Sequence, residues 1–232
     1  MKKQDGLKQN FIHMMQQKLF SGEYQIGQPL PSERELAAQL GVSRSLVNSG
    51  ILELAKQGFV EIMPRRGSIV ADYIKNGTLP VLGALMGSDS FRLNYPMFCD
   101  LIDMYILIEC ECARLASQVA SLTQLSQLRQ LVEQIRDAKS PLDAVAPVIR
   151  FHQLLIQFSG NAVYVMVFKS FDALISQSIH QHFSLAPDLP RTVKLHCSLV
   201  RSLEAREPEP SAQNAKLCIL HGTNILKKQY QI

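Results

Sequence analysis

Apolar residues at helical spacing open the chain. Leu7, Phe11, Met14/Met15 and Leu19 recur every three or four positions, and the pattern stops before Ser21-Gly22, which predicts a helix over about 7–20. A loop with Gly22, Gly27 and Pro29 follows. Ser32 stands three residues before Glu35, the spacing of a capping box, so a second helix is expected there. Leu36, Ala37 and Leu40 give it an apolar face and Gly41 stops it. Ser43 can cap a third helix reaching about Gln57, with Val47, Ile51, Leu54 and Ala55 inward and Gly58 as its stop. Phe59–Ile62 and Ser68–Val70 read as short strands around the turn Met63-Pro64-Arg65-Arg66-Gly67. Three helices and a two-stranded ribbon, in that order, are a winged helix-turn-helix.

Residues 71–80 lack a strong apolar period and hold Gly77 and Pro80, which suits a linker. Helical patterns then follow at about 79–86, 95–120, 122–138, 147–159, 161–182, 189–206 and 211–229. Breaks are expected at Gly87-Ser88, Ser121, Ser140-Pro141, Gly160, Pro187/Pro190 and Pro208/Pro210. The fold class is therefore mainly α: a winged helix over 1–72, a linker and connecting helix over 73–91, and an all-helical bundle of six or seven helices over 92–232.

Composition adds bounds. With 232 residues, 47% hydrophobic and 19% charged, the chain can bury two modest cores and is not disordered. The net charge is +4; residues 1–80 hold ten Lys/Arg against seven Asp/Glu, a small excess that hints at an anionic partner. Cys99, Cys110, Cys112, Cys197 and Cys218 form no C-x-x-C pair and sit among apolar helix positions, as expected of reduced thiols in a cytoplasmic protein; a redox switch is the sharper alternative. The basic start lacks an apolar h-region and no apolar run reaches membrane-spanning length, so neither a signal peptide nor a membrane partner is expected.

Candidate chemistry concentrates on the third helix. Arg44, Ser45 and Asn48 share one outward face at its start. There an Arg can bond guanine bidentately, an Asn can do so with adenine, and Ser43 and Ser45 suit phosphates at the positive end of the helix. Arg65 and Arg66 place two cations at the ribbon tip, within reach of phosphates or a minor groove. Each feature alone would be ordinary surface; together on one supersecondary unit they point to duplex DNA.

The residues Gly22-x(4)-Gly27-x-x-Leu30-Pro31-Ser32-Glu33-Arg34-Glu35-Leu36-Ala37, Leu40-Gly41-Val42-Ser43-Arg44, Gly58-Phe59-Val60 and Arg65-Arg66-Gly67 resemble the N-terminal domain of the GntR family of bacterial regulators. The resemblance covers about 7–70 and implies DNA contacts from Arg34, Arg44, position 48 and the tip at Arg66-Gly67. The family usually continues Ser-Arg-x-x-Val-Arg-Glu-Ala-Leu, whereas this chain has Asn48 at the second arginine position, so its operator preference is expected to shift away from guanine there.

From about 92 to 229 the chain resembles the FadR-type ligand-binding (FCD) domain of that family. The resemblance rests on Asp100-Leu101-Ile102-Asp103-Met104-Tyr105 through Glu109, Phe151-His152-x-x-Leu155-x(3)-Ser159-Gly160-Asn161, His196-x-x-Leu199-x(3)-Leu203 and His221. It implies a divalent metal, zinc or nickel, at His152, His196 and His221, and an effector pocket touching Tyr105, Glu109 and Asn161. Two departures stand out: the family's metal-binding Asp is Val148, and an Arg that binds effector carboxylates is Tyr105. His180 and His182 are expected to be exposed at a helix end.

The function these features imply is a homodimeric regulator that binds a pseudo-palindromic operator and answers to a small effector such as an organic acid. A regulator with a degenerate pocket, acting constitutively or as an adaptor, is the alternative that Val148 and Tyr105 favour. A three-histidine metal hydrolase is the remote one. The chain has no His-Glu-x-x-His, Gly-x-Ser-x-Gly or phosphate loop, so enzymatic activity is not expected.

Overall fold

The computed structural model describes residues 2–86 and 95–230, and the chain divides into two compact units, Met1–Arg92 and Leu93–Ile232.

The N-terminal unit runs α1 (Lys2–Phe20), α2 (Glu33–Leu40), α3 (Arg44–Gln57), β1 (Val60–Met63), β2 (Gly67–Val70) and α4 (Leu79–Met86). The two strands pair antiparallel, with Val60 opposite Val70 and Met63 opposite Gly67. Capping fixes where the short helices begin. The Ser32 backbone N–H donates to Glu35 at 2.8 Å, while the Glu35 N–H donates to Ser32 Oγ at 3.3 Å, closing the capping box of α2. Gly41 ends α2 at φ +63° and Gly58 ends α3 at φ +94°, conformations an L side chain resists. The core joins Phe11, Met15 and Leu19 of α1 to Val47, Ile51 and Leu54 of α3, with Phe59 beneath the ribbon. Phe59 meets Phe20 edge-on at 5.6 Å and Tyr73 at 5.7 Å, and the Tyr73 hydroxyl donates to the Leu19 carbonyl. Gly50 lets α1 and α3 close together: a Cβ there would lie 2.2 Å from Cδ1 of Phe11.

The C-terminal unit is helical among its described residues: α5 (Tyr95–Val119), α6 (Leu122–Arg136), α7 (Val145–Phe158), α8 (Ala162–Lys169), α9 (Asp172–Leu185), α10 (Leu189–Glu204) and α11 (Pro208–Tyr230), with a 3-10 turn at Pro141–Ala144. Its main core sets small residues of α5 (Ala113, Ala116, Ala120) against Leu125 and Leu128 of α6, Phe151 and Leu155 of α7, and Leu199 and Leu203 of α10. The small side chains let the surrounding helices approach α5 closely. Arg114 of α5 forks onto Glu209 of α11 at 2.9 and 3.0 Å.

Two elements differ from the sequence pattern. The stretch expected as one helix over 161–182 is two, broken at Ser170-Phe171 and continuing to Leu185. Burial of Phe171 and Phe168 draws the chain inward at the break, which a periodicity scan reads as continuous apolar spacing. The prolines at 208 and 210 open α11 rather than precede it, because a first-turn proline forfeits no helical hydrogen bond. Residues 87–91 of the expected linker, and the expected break at Gly87-Ser88, lie outside the described residues. No single helix among the described residues is long and apolar enough to cross a membrane.

Candidate functional site

The first turn of α3 is built to stand in solvent. Ser43 caps it by accepting the Leu46 N–H at 3.3 Å, and its hydroxyl lies 3.1 Å from that of Ser45. Val47, Gly50, Ile51 and Leu54 anchor the opposite face, so Ser43, Arg44, Ser45 and Asn48 are exposed. Arg34 on α2 is exposed as well. Asn48 is not idle: its Nδ2 donates to Oε1 of Glu33 at 2.7 Å, which ties α3 to the start of α2.

The ribbon tip is a three-residue turn, Pro64-Arg65-Arg66, closed by the Arg66 N–H donating to the Met63 carbonyl at 3.1 Å. Arg65 sits at φ +65°, left-handed backbone that is unusual for a side chain of its size, and Gly67 follows at φ +85°. Arg65, Arg66 and Gly67 are all exposed. None of Arg34, Arg44, Arg65 and Arg66 forms an ion pair among the described residues. Arg34 feels the charge of neighbouring Glu35, and all four exposed guanidiniums are open to an external anion.

The C-terminal unit holds a cavity walled by six of its helices. Leu101, Ile102, Tyr105 and Ile108 of α5 form one wall, and Phe168, Phe171, Ile175, His182 and Phe183 of α8 and α9 another. Val148 and His152 of α7, Thr192 and His196 of α10, and Cys218, Ile219 and His221 of α11 complete it. Its mostly apolar lining, with a few polar groups converging on it, is that of a small-molecule site.

Four histidines punctuate this lining. His152 Nδ1 lies 2.5 Å from Oε1 of Glu109, which is fully buried behind it. His196 Nδ1 lies 2.8 Å from the Thr192 carbonyl; a carbonyl only accepts, so Nδ1 carries the proton and Nε2 presents a lone pair. The His152 and His196 rings are 5.4 Å apart. His221 turns elsewhere: its Nε2 lies 3.1 Å from the Thr192 hydroxyl and its ring meets that of His182 at 5.0 Å. Burial, then the neighbouring His152, pushes His196 down to about 3; burial, then His221, pushes His182 down to about 4. His221 is lowered too, by burial first and then by Arg191. At neutral pH these three rings are uncharged.

The expected zinc or nickel at His152, His196 and His221 was tested against this geometry. Glu109 and the Thr192 carbonyl orient two rings as outer partners of metal ligands would. A metal needs a third donor, however, and His221 is bonded to Thr192 while Val148 brings no carboxylate. Among the described residues no group of three or more His, Cys, Asp or Glu is arranged to hold a metal ion.

Two domain families match the chain. Residues 7–70 match the bacterial regulatory proteins of the gntR family, and residues 100–219, more than half of the chain, match the FCD domain. The chain belongs to the GntR family. It carries the FCD domain of the FadR-type branch. The Glc operon transcriptional activator of Escherichia coli K12 is 30% identical over 168 residues, 69% of this chain and 64% of that protein, so the chain spans less than two thirds of that relative. The galactonate operon transcriptional repressor of Escherichia coli K12 is 23% identical over 217 residues, covering 89% and 91%. Two solved structures share the fold. One is Lar, described as controlling the expression of the Listeria monocytogenes agr system, with a TM-score of 0.60, 17% identity and coverage of 97% and 96%. The other is a GntR family member from Pseudomonas syringae pv. tomato, with a TM-score of 0.54, 18% identity and coverage of 97% and 86%.

Within this GntR-family regulator, two residues expected at the effector pocket sit differently. Asn161 lies off the cavity; its side chain caps α8 by accepting from the Val163 and Tyr164 N–H groups. Glu109 does not line the cavity itself; it lies behind His152 and beside Tyr105, which do. Tyr105 does line the cavity, and its phenol is pushed well up by burial and then by the charge of Glu109. His182, expected at an exposed helix end, is buried and lines the cavity. Its signal was available: Ile175, Ile179 and His182 recur at helical spacing on α9. Burial raises the Cys110 thiol to about 11 and that of Cys112 to about 12, and no cysteine is in a disulfide.

Proposed function

We propose that this GntR-family regulator is a cytoplasmic homodimer, without enzymatic activity, that binds a pseudo-palindromic operator and changes its affinity when a small molecule fills the C-terminal cavity. The observation that carries the reading is the exposed first turn of α3, with Ser43, Arg44 and Ser45 in solvent beside the unpaired arginines 34, 65 and 66. Such a turn enters the major groove: Arg44 reads base edges, Ser43 and Ser45 bind phosphate, and Arg65 and Arg66 hold the flanking backbone or minor groove. A two-fold dimer presents two such turns to the two halves of its site. The effector acts by a coupling free energy between cavity and DNA surface.

Asn48 sets the operator preference in this reading. With Nδ2 given to Glu33, it offers only part of the two-pronged grip that an Asn uses on adenine. Selection of binding sites from a random duplex library by the full chain should enrich an inverted repeat. Asn48→Arg should shift the preferred base at one position of each half-site. No enriched sequence with the wild-type chain, or identical preferences for both proteins, would contradict this account.

A further inference from the structure

We propose that the cavity takes an uncharged, mainly apolar molecule that gives one hydroxyl or N–H hydrogen to Nε2 of His196. The proposal rests on the reading of the C-terminal unit as the effector-sensing half, and it names the chemistry of the effector. Nε2 of His196 is a buried lone pair with no hydrogen-bond partner among the described residues, on a side chain that is 3% exposed and lines the cavity. Its other nitrogen is committed to the Thr192 carbonyl, so the ring asks for a donor and has no hydrogen to give an oxyanion. A buried acceptor left without a donor carries a desolvation cost that a ligand hydroxyl removes.

The rest of the lining argues against a charged ligand. No Lys or Arg is among the described residues that line the cavity, and Tyr105 stands where the resemblance implied an arginine for a carboxylate. Behind His152, which lines the cavity, the fully buried Glu109 adds acceptor oxygens and no cation. Arg191 is exposed in an adjoining opening that it shares with Asp188, His182 and His221. A carboxylate effector would meet its cation at that opening, whereas an alcohol can go to His196 with its apolar body against Phe168, Phe171 and Ile175.

The test compares two probes of equal chain length, 1-octanol and octanoate, by calorimetry on the full chain at pH 7.5. Octanol should bind at one site per chain, at least about tenfold more tightly than octanoate, the ratio expected when one side offers a good hydrogen bond and the other an unpaired charge. His196→Phe should weaken octanol about tenfold, and Arg191→Gln should leave octanol binding unchanged. Should His196→Phe fail to fold, the ratio measured on the wild-type chain still decides. Octanoate binding as tightly as octanol, octanoate binding lost in Arg191→Gln, or no binding of octanol would each overturn the proposal. Duplex association of the same preparation, measured alongside, separates the two readings. DNA binding without octanol binding refutes only the effector chemistry, and octanol binding without DNA binding refutes only the regulator.

Discussion

In the N-terminal unit the polar groups that matter stand in solvent on one short helix turn and a hairpin tip; in the C-terminal unit they are sealed among aliphatic and aromatic side chains. Arg34, Arg44, Arg65 and Arg66 are exposed and keep their charges in water at little desolvation cost. His152, His182 and His196 are buried, and two of them have one nitrogen fixed by Glu109 or by the Thr192 carbonyl. The difference teaches how each half selects a partner. A polyanion is met by many exposed cations, and its grip weakens with salt. A small apolar molecule is met by shape and by one or two fixed hydrogen-bonding atoms, and salt matters little to it.

The sharpest way to break this contrast is at Glu109. Glu109→Ala leaves His152 buried without its carboxylate, and the loss of one member of a buried pair costs about 3–5 kcal/mol. Chemical denaturation of the full chain should show that loss in the C-terminal transition; an unchanged midpoint would mean that the pair contributes nothing to the sealed site. The matching change in the other unit is Gly50→Ala. Its new methyl group collides with the Phe11 ring, and overpacking of this kind costs about 1–3 kcal/mol. It should lower the N-terminal melting point and weaken DNA binding with it, while octanol binding stays unchanged.

Acidity acts on the cavity. His196 and His182 remain neutral in the folded chain down to about 3 and about 4, whereas the unfolded rings protonate from their ordinary 6.5. Between those values the unfolded state holds more protons, so stability is complete above pH 6.5 and falls as the pH drops from there toward 4. Unfolding near pH 5 should take up about one proton at each of these two rings, with His221 adding to the total in the same direction, which calorimetry in buffers of different ionisation enthalpy can count. Uptake near zero would mean that the rings are hydrated rather than sealed.

The DNA-reading unit was legible from sequence because its elements are local. Ser32 and Glu35 cap within four residues, Ser43 caps within three, and Gly41 and Gly58 stop their helices by backbone geometry alone. The cavity was harder because it is assembled from six helices that only tertiary packing brings together. His152 and His196 could be picked out, and the structure sets their rings side by side. The partner of His221 could not be read, since its pairing with His182 depends on the break at Ser170-Phe171 that turns α9. Asn161 was read as a pocket residue when its local role, capping α8, was equally open to its side chain. The bond between Asn48 and Glu33 spans fifteen residues and two helices, so no local rule exposes it.

The most direct measurement is the affinity of the full chain for its selected duplex across a salt series, by fluorescence anisotropy, for wild type and Arg44→Ala. The account predicts that log K falls linearly with log salt, and that Arg44→Ala weakens binding by about 5- to 150-fold, the worth of one bidentate base contact. Association that ignores salt, or an Arg44→Ala protein that binds as tightly as wild type, would contradict it.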